Sequence, residues 1–327
     1  MAKPLNQKFF EWLKKDPISL LDIIAEYDCL DIRFSSSNEL KVYFKGCLIL
    51  TVSDKIITDS ETTFKILSER YYSEEEQNTD LIDIINKGVT ISNLQDYLDR
   101  AISLLSRISK IRVEDCIRQE ITRVNNRSSE AQDTDYFIVD EEYNVSINGL
   151  RFDLIALKWD SKGEERKHFN SKSNLEIVIF EVKRGTNSTG GTKNATSENA
   201  DLKKHQSDFC TFISDEARLA AFKLDIVKMF VQQASLKGFY NAQEIKGLKN
   251  VSPLAEAGTE REIEGIAKNI PVKFGIICSD FKQKSQTLKA QIEQMPEDFL
   301  FATASFMGYG LYSDSMLNRE QILEILG

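Results

Sequence analysis

The chain has 327 residues, of which 41% are apolar and 28% charged, with a net charge of −9. That length suits one large domain or two smaller ones. No apolar run reaches about 18 residues, so no membrane span is expected, and the acidic balance excludes a broadly basic surface for nucleic acid, leaving only a local patch for such contact. The five cysteines form no CxxC pair; this reads as reduced thiols and a cytoplasmic protein. The opening "MAKPLNQKFFEWLKKDP" carries charges where a signal peptide needs an apolar centre.

The first hundred residues hold 12 Lys/Arg against 18 Asp/Glu. "FFEWLKKDPISLLDIIAEYD" predicts helical segments, and "ELKVYFKGCLILTV" predicts two strands turning at Lys45-Gly46. After the acidic "SEEEQNTD", helical periodicity runs from about Asp80 to Val124 with a break near "GVTISN". The period then shortens to two. "DYFIVDEEY" and "RFDLIALKW" read as strands, followed by a polar insertion and a strongly apolar strand, "LEIVIFEVKRG". The next stretch, "GTNSTGGTKNATSENA", is too polar to bury itself and is expected to be mobile. A long helix is expected over about 201–237. A polar, Gly-containing segment follows, then the strand "PVKFGIICSDF", a short helix at "KSQTLKAQIEQM", the strand "FLFATASF" and a last helix at "NREQILEIL". From Asp80 the order is helix, three strands, helix, strand, helix, strand. It predicts an α/β sandwich around a mixed sheet, antiparallel at its start and parallel after the crossovers, with a separate lobe before it.

Glu181 and Lys183 lie two apart on the apolar strand and so share a face, about 7 Å apart at a rise of ~3.3 Å per residue. On the preceding strand Asp153 alternates with Phe152 and Leu154. If the strands are neighbours, Asp153 and Glu181 point into one pocket, where two carboxylates repel and resist ionisation. A divalent cation removes that repulsion; Mg²⁺ takes oxygen ligands at about 2.0–2.1 Å, usually one or two carboxylates plus water and phosphate. Lys183 beside them suits positioning or deprotonating water, or offsetting charge on phosphorus. The bland alternative for Glu181 and Lys183 is an ion pair at a fraying strand end.

Asp153 followed by Glu181-Val182-Lys183 on the next strand, behind a Glu-bearing helix, resembles the PD-(D/E)XK nuclease superfamily. "RFD" stands where the nominal "PD" would be. The resemblance covers about two-thirds of the chain. It implies a restriction-endonuclease-like mixed sheet flanked by helices over residues 96–327, with residues 1–95 as a smaller N-terminal α+β lobe of unassigned role. It implies Mg²⁺ or Mn²⁺ held by Asp153 and Glu181, Lys183 assisting the water, and nucleic acid as substrate, DNA foremost, RNA not being distinguished. A homodimer is compatible with it. A helix glutamate often joins such sites: Glu114 or Glu120, with counting along strand and helix favouring Glu114, while either also suits a surface carboxylate paired with Arg118 or Arg123. Some relatives use a glutamine on the helix after the lysine, here Gln206, beside Lys203, Lys204 and His205, which could meet phosphate. The remaining alternative is an inactive nuclease-like module that binds or assembles. His168 sits in a polar insertion and reads as solvated, His205 lacks a Cys/His partner at zinc spacing, and no GxxxxGK[ST] loop is present for ATP.

Overall fold

Lys45 and Gly46 turn the chain with φ of 48° and 75°. This is the doubly left-handed pair that a two-residue hairpin needs. It joins β2 (Glu39–Phe44) to β3 (Cys47–Ser53), as the sequence predicts. Two further strands complete a four-stranded antiparallel sheet: β1 (Leu30–Ser35) before the hairpin and β4 (Lys65–Ile66) after it. Helix α1 (Gln7–Lys15) buries Phe9, Phe10 and Leu13, and α2 (Leu20–Ala25) buries Leu20, Leu21 and Ile24. Next come α3 (Thr79–Lys87) and α4 (Leu94–Arg107). The computed structural model describes residues 3–15, 20–57, 64–68, 71, 79–108, 113–127, 134–145, 150–158, 175–185, 201–236, 260–280, 284–304 and 308–327. The polar 186–200 segment, His168 and the acidic "SEEEQN" lie outside them.

Helix α5 (Val113–Asn126) leads into β5 (Tyr136–Asn144), β6 (Arg151–Lys158) and β7 (Glu176–Arg184). Then follow α6 (Asp201–Ser214), α7 (Glu216–Ala234), α8 (Glu260–Asn269), β8 (Val272–Ser279), α9 (Gln286–Ile292), β9 (Leu300–Ala304) and α10 (Arg319–Leu326). The five strands lie in the order β5-β6-β7-β8-β9. The first two pairings are antiparallel and the last two parallel, so the mixed α/β sheet has the expected form. One expected helix is divided and one helix was not expected. The 201–237 helix is broken at Asp215, whose carboxylate caps α7 by accepting the Arg218 amide at 3.1 Å. The polar segment before β8 contains α8, signalled by the helical spacing of the buried Ile263, Ile266, Ala267 and Ile270.

The second sheet is covered on both faces. On one, Ile155, Leu157, Ile177 and Ile179 pack with Phe209, Phe212, Phe222 and Phe230 of α6 and α7. On the other, Leu154, Ala156, Val178 and Phe180 pack with Ile117 and Ile121 of α5. Burial on both sides explains why β7 reads as a continuous apolar run; each such side chain contributes about 1.5–3 kcal/mol. Phe180 also fills the space over Gly275, where an added Cβ would come within 2.5 Å of its ring.

The two lobes are joined more closely than their predicted separation. Helix α4 belongs to the first: its Tyr97 hydroxyl donates to the Ile49 carbonyl at 2.5 Å and accepts the Leu67 amide at 2.9 Å. The first lobe therefore runs past residue 95 to the end of α4. One hydrophobic cluster spans both lobes. At the seam Arg33 of β1 bridges Asp31 at 3.2 Å and Glu141 of β5 at 2.7 Å, and Glu141 also accepts from Thr122 at 2.6 Å. Asp31, Arg33, Asp140 and Glu141 are all buried. Arg127, just past α5, donates to the carbonyls of Ala25, Tyr27 and Leu30.

Candidate metal and phosphodiester site

Asp153 stands where the β6–β7 ladder stops. Leu154 pairs with Phe180, and one further antiparallel step sets Asp153 opposite Glu181. There Asp153 Oδ2 accepts the Val182 amide at 2.9 Å in place of a backbone carbonyl. The strands open at this point, and both carboxylates sit at the mouth. The alternation anticipated from sequence is present: Asp153 shares the parity of Ile155, and Glu181 and Lys183 that of Ile177 and Ile179, so all three head for the face covered by α6.

Glu181 and Lys183 do form an ion pair, with Nζ 2.7 Å from Oε1, but not at a fraying end. β7 is the middle strand, and Lys183 and Arg184 are still paired with Cys278 and Ser279 of β8. Glu181 is 3% exposed and Lys183 8%. His205 on α6 completes the cluster, its Nε2 lying 2.9 Å from the same Glu181 oxygen and 3.3 Å from Lys183 Nζ. Lys204, His205 and Asp208 line the cleft together: Asp208 is four residues from Lys204 and three from His205, and so neighbours both on the helix surface. Gln206, the glutamine carried over by resemblance, does not line the cleft; its neighbour His205 does. One residue along a helix turns the side chain by about 100°, so the two residues of α6 take different directions.

Helix α5 supplies the remaining wall. Glu114 lines the cleft. Glu120 instead pairs with Arg123 at 3.0 Å on the helix surface. Asp153 falls opposite Glu142, because an irregularity between Ile138 and Asp140 shifts the β5–β6 register by one residue. From the sequence Arg118 suits only a surface partner for a carboxylate. It is buried, with its guanidinium 3.4 Å from Asp153 Oδ1, 2.9 Å from Glu142 and in a short contact with Asp115.

The resulting cleft, about 480 Å³, is lined by Glu114, Arg118, Asn144, Arg151, Asp153, Glu181, Val182, Lys183, Lys204, His205 and Asp208. Its two central carboxylates differ. Burial, with the Glu181 charge adding, pushes Asp153 up to about 6 against the opposing pull of Arg118. Burial acts on Glu181 too, but the hydrogen bond from His205 and the charge of Lys183 outweigh it and hold that group below the ordinary carboxylate range. Asp153 and Glu181 are the two buried carboxylates of the cleft and offer the hard oxygen donors that could hold a cation. No cluster of three or more His, Cys, Asp or Glu side chains suited to a metal occurs among the described residues. Two carboxylates fit Mg²⁺ or Mn²⁺, which leave further positions to water and phosphate, and do not fit a structural zinc, which takes four protein ligands.

No known protein family, curated protein or solved structure matches the chain. No helix of the described residues is long and apolar enough to cross a membrane.

Proposed function

We propose that the chain is a divalent-metal-dependent nuclease of the PD-(D/E)XK, restriction-endonuclease-like type, hydrolysing phosphodiester bonds of nucleic acid, DNA foremost. The observation that carries this reading is the meeting of Asp153, Glu181 and Lys183 at the mouth between two neighbouring strands, inside a cleft that also holds Glu114. Asp153 and Glu181 would hold Mg²⁺ or Mn²⁺, which when bound offsets negative charge on the phosphate. Lys183 orients the attacking water and offsets charge on the phosphoryl oxygens as the water oxygen bonds to phosphorus and the bond to the leaving sugar oxygen breaks. Arg118 fixes the Asp153 carboxylate, His205 fixes Glu181, and Glu114 assists from the wall. Arg151 and Lys204 supply the local positive charge that an acidic protein needs to receive a polyanion.

The test is Mg²⁺-dependent cleavage of DNA and of RNA by wild type, Asp153→Ala and Lys183→Ala. Loss of cleavage in both variants supports the assignment; equal activity in all three marks a contaminant and sinks it. Calorimetric titration with Mn²⁺ separates an enzyme from an inactive module: wild type binds and Asp153→Ala does not, whereas a wild type without a binding isotherm favours the module.

A further inference from the structure

Helix α5 presents two adjoining faces to two different parts of the molecule. Glu114 and Arg118 line the cleft. Asp115 and Gln119, each one residue away and so about 100° around the helix, and Cys116, two residues away, meet the β2–β3 hairpin of the N-terminal lobe. The Gly46 amide donates to Gln119 Oε1 at 2.5 Å, and Gln119 Nε2 donates to the carbonyls of Cys29 at 3.0 Å and Tyr43 at 3.1 Å. Cys116 Sγ lies 3.6 Å from the Lys45 carbonyl. Gln119 is 2% exposed, so each of its bonds is shielded from competing water.

The hairpin has no slack against the helix. A Cβ added at Gly46 would fall 2.4 Å from the Cβ of Asp115 and 3.0 Å from its carbonyl carbon. Asp115 is itself bonded to Arg118, and Arg118 reaches Asp153. Three links therefore join the hairpin turn to a carboxylate of the cleft.

We infer that Gln119 is a positioning residue: through it the N-terminal hairpin holds the first turns of α5 so that Arg118 meets Asp153 and Glu114 enters the cleft. The catalytic part of this inference rests on the nuclease reading above. It makes the N-terminal lobe part of the active-site framework. Plain stitching of one lobe to another would lower stability and leave each folded molecule equally active.

The experiment compares the full chain with Gln119→Ala and Gln119→Glu by two readouts. One is kcat and KM for Mg²⁺-dependent DNA cleavage per folded molecule. The other needs no catalysis: the rate of Cys116 alkylation by iodoacetamide, followed by peptide mass spectrometry. In Gln119→Ala, kcat falls about 10- to 100-fold with KM within about twofold, and Cys116 reacts at least about fivefold faster as the hairpin lifts. Gln119→Glu keeps the acceptor for the Gly46 amide but sets a buried carboxylate oxygen against the Cys29 and Tyr43 carbonyls in place of the donating amide, so it loses kcat and frees Cys116 as Gln119→Ala does. Wild-type kcat in Gln119→Ala, or an unchanged Cys116 rate, overturns the inference. A wild type that cleaves nothing, with Cys116 still accelerated in Gln119→Ala, overturns the nuclease reading while supporting the clamp.

Discussion

Two buried charge clusters flank Arg118, and they carry similar inventories to different ends. In the seam, Asp31, Arg33, Asp140 and Glu141 are shut between the lobes. In the cleft, Asp153, Glu181, Lys183 and His205 border an open space. Burial raises carboxyl groups in both: Asp140 to about 8, Glu141 to about 7 despite Arg33, and Asp153 to about 6. A raised carboxyl therefore marks desolvation and does not by itself mark a site. Two things set the cleft apart. It has room for a ligand, and it pairs one carboxyl held up with one held down.

The largest effect that would break this contrast is kinetic. Lys183→Ala should lower kcat by about 10²–10⁴, read in single-turnover cleavage on the folded fraction; a smaller loss would return Lys183 to the role of structural counter-ion. In the seam the large effect is on stability. Arg33→Met strands two buried carboxylates and should lose about 3–5 kcal/mol in urea unfolding, while the triple change that adds Asp31→Asn and Glu141→Gln should recover most of it. No recovery would show that packing, and not charge balance, holds the seam.

Stability should also respond to pH. Asp140 keeps its proton in the folded chain up to about pH 8 and loses it near 4 when unfolded. Between those values the folded state binds more protons, so stability falls as pH rises, by at most about 1.4 kcal/mol per pH unit. Asp140→Asn should flatten this slope in denaturation series from pH 5 to 8. The smallest effects sharpen the helix assignment: Glu114→Gln should lower kcat about tenfold, whereas Glu120→Gln on the same helix should leave it unchanged and shift stability by less than about 0.5 kcal/mol.

Much of the second lobe could be read from the chain because its signals are local. The apolar runs of β7 and β8 follow from burial on both faces, and Glu181-x-Lys183 stands out because charge there conflicts with the run that carries it. What escaped depends on partners distant in sequence. β1 carries Asp31 and Arg33, which suggest solvent until Glu141 of the other lobe is seen to receive the arginine. Gln119 and Arg118 read as ordinary helix-surface residues, since nothing near them in sequence shows that one holds a hairpin and the other a carboxylate. His205 is one residue from Gln206, and only the rotation of α6 about its axis decides which of the two faces Glu181.

The central place of β7 has a consequence for how the chain is made. Its antiparallel neighbour β6 is already synthesised when β7 emerges, but its parallel neighbour is not: Ile177 must wait for Val272. At about 5–20 residues per second of synthesis, the strand bearing Glu181 and Lys183 spends roughly 5–20 s with one edge open. During that interval the nascent chain offers an unpaired apolar strand to any neighbour on the same message. The charges at the end of β7 interrupt that apolar run, as gatekeeper residues flanking a hydrophobic strand do.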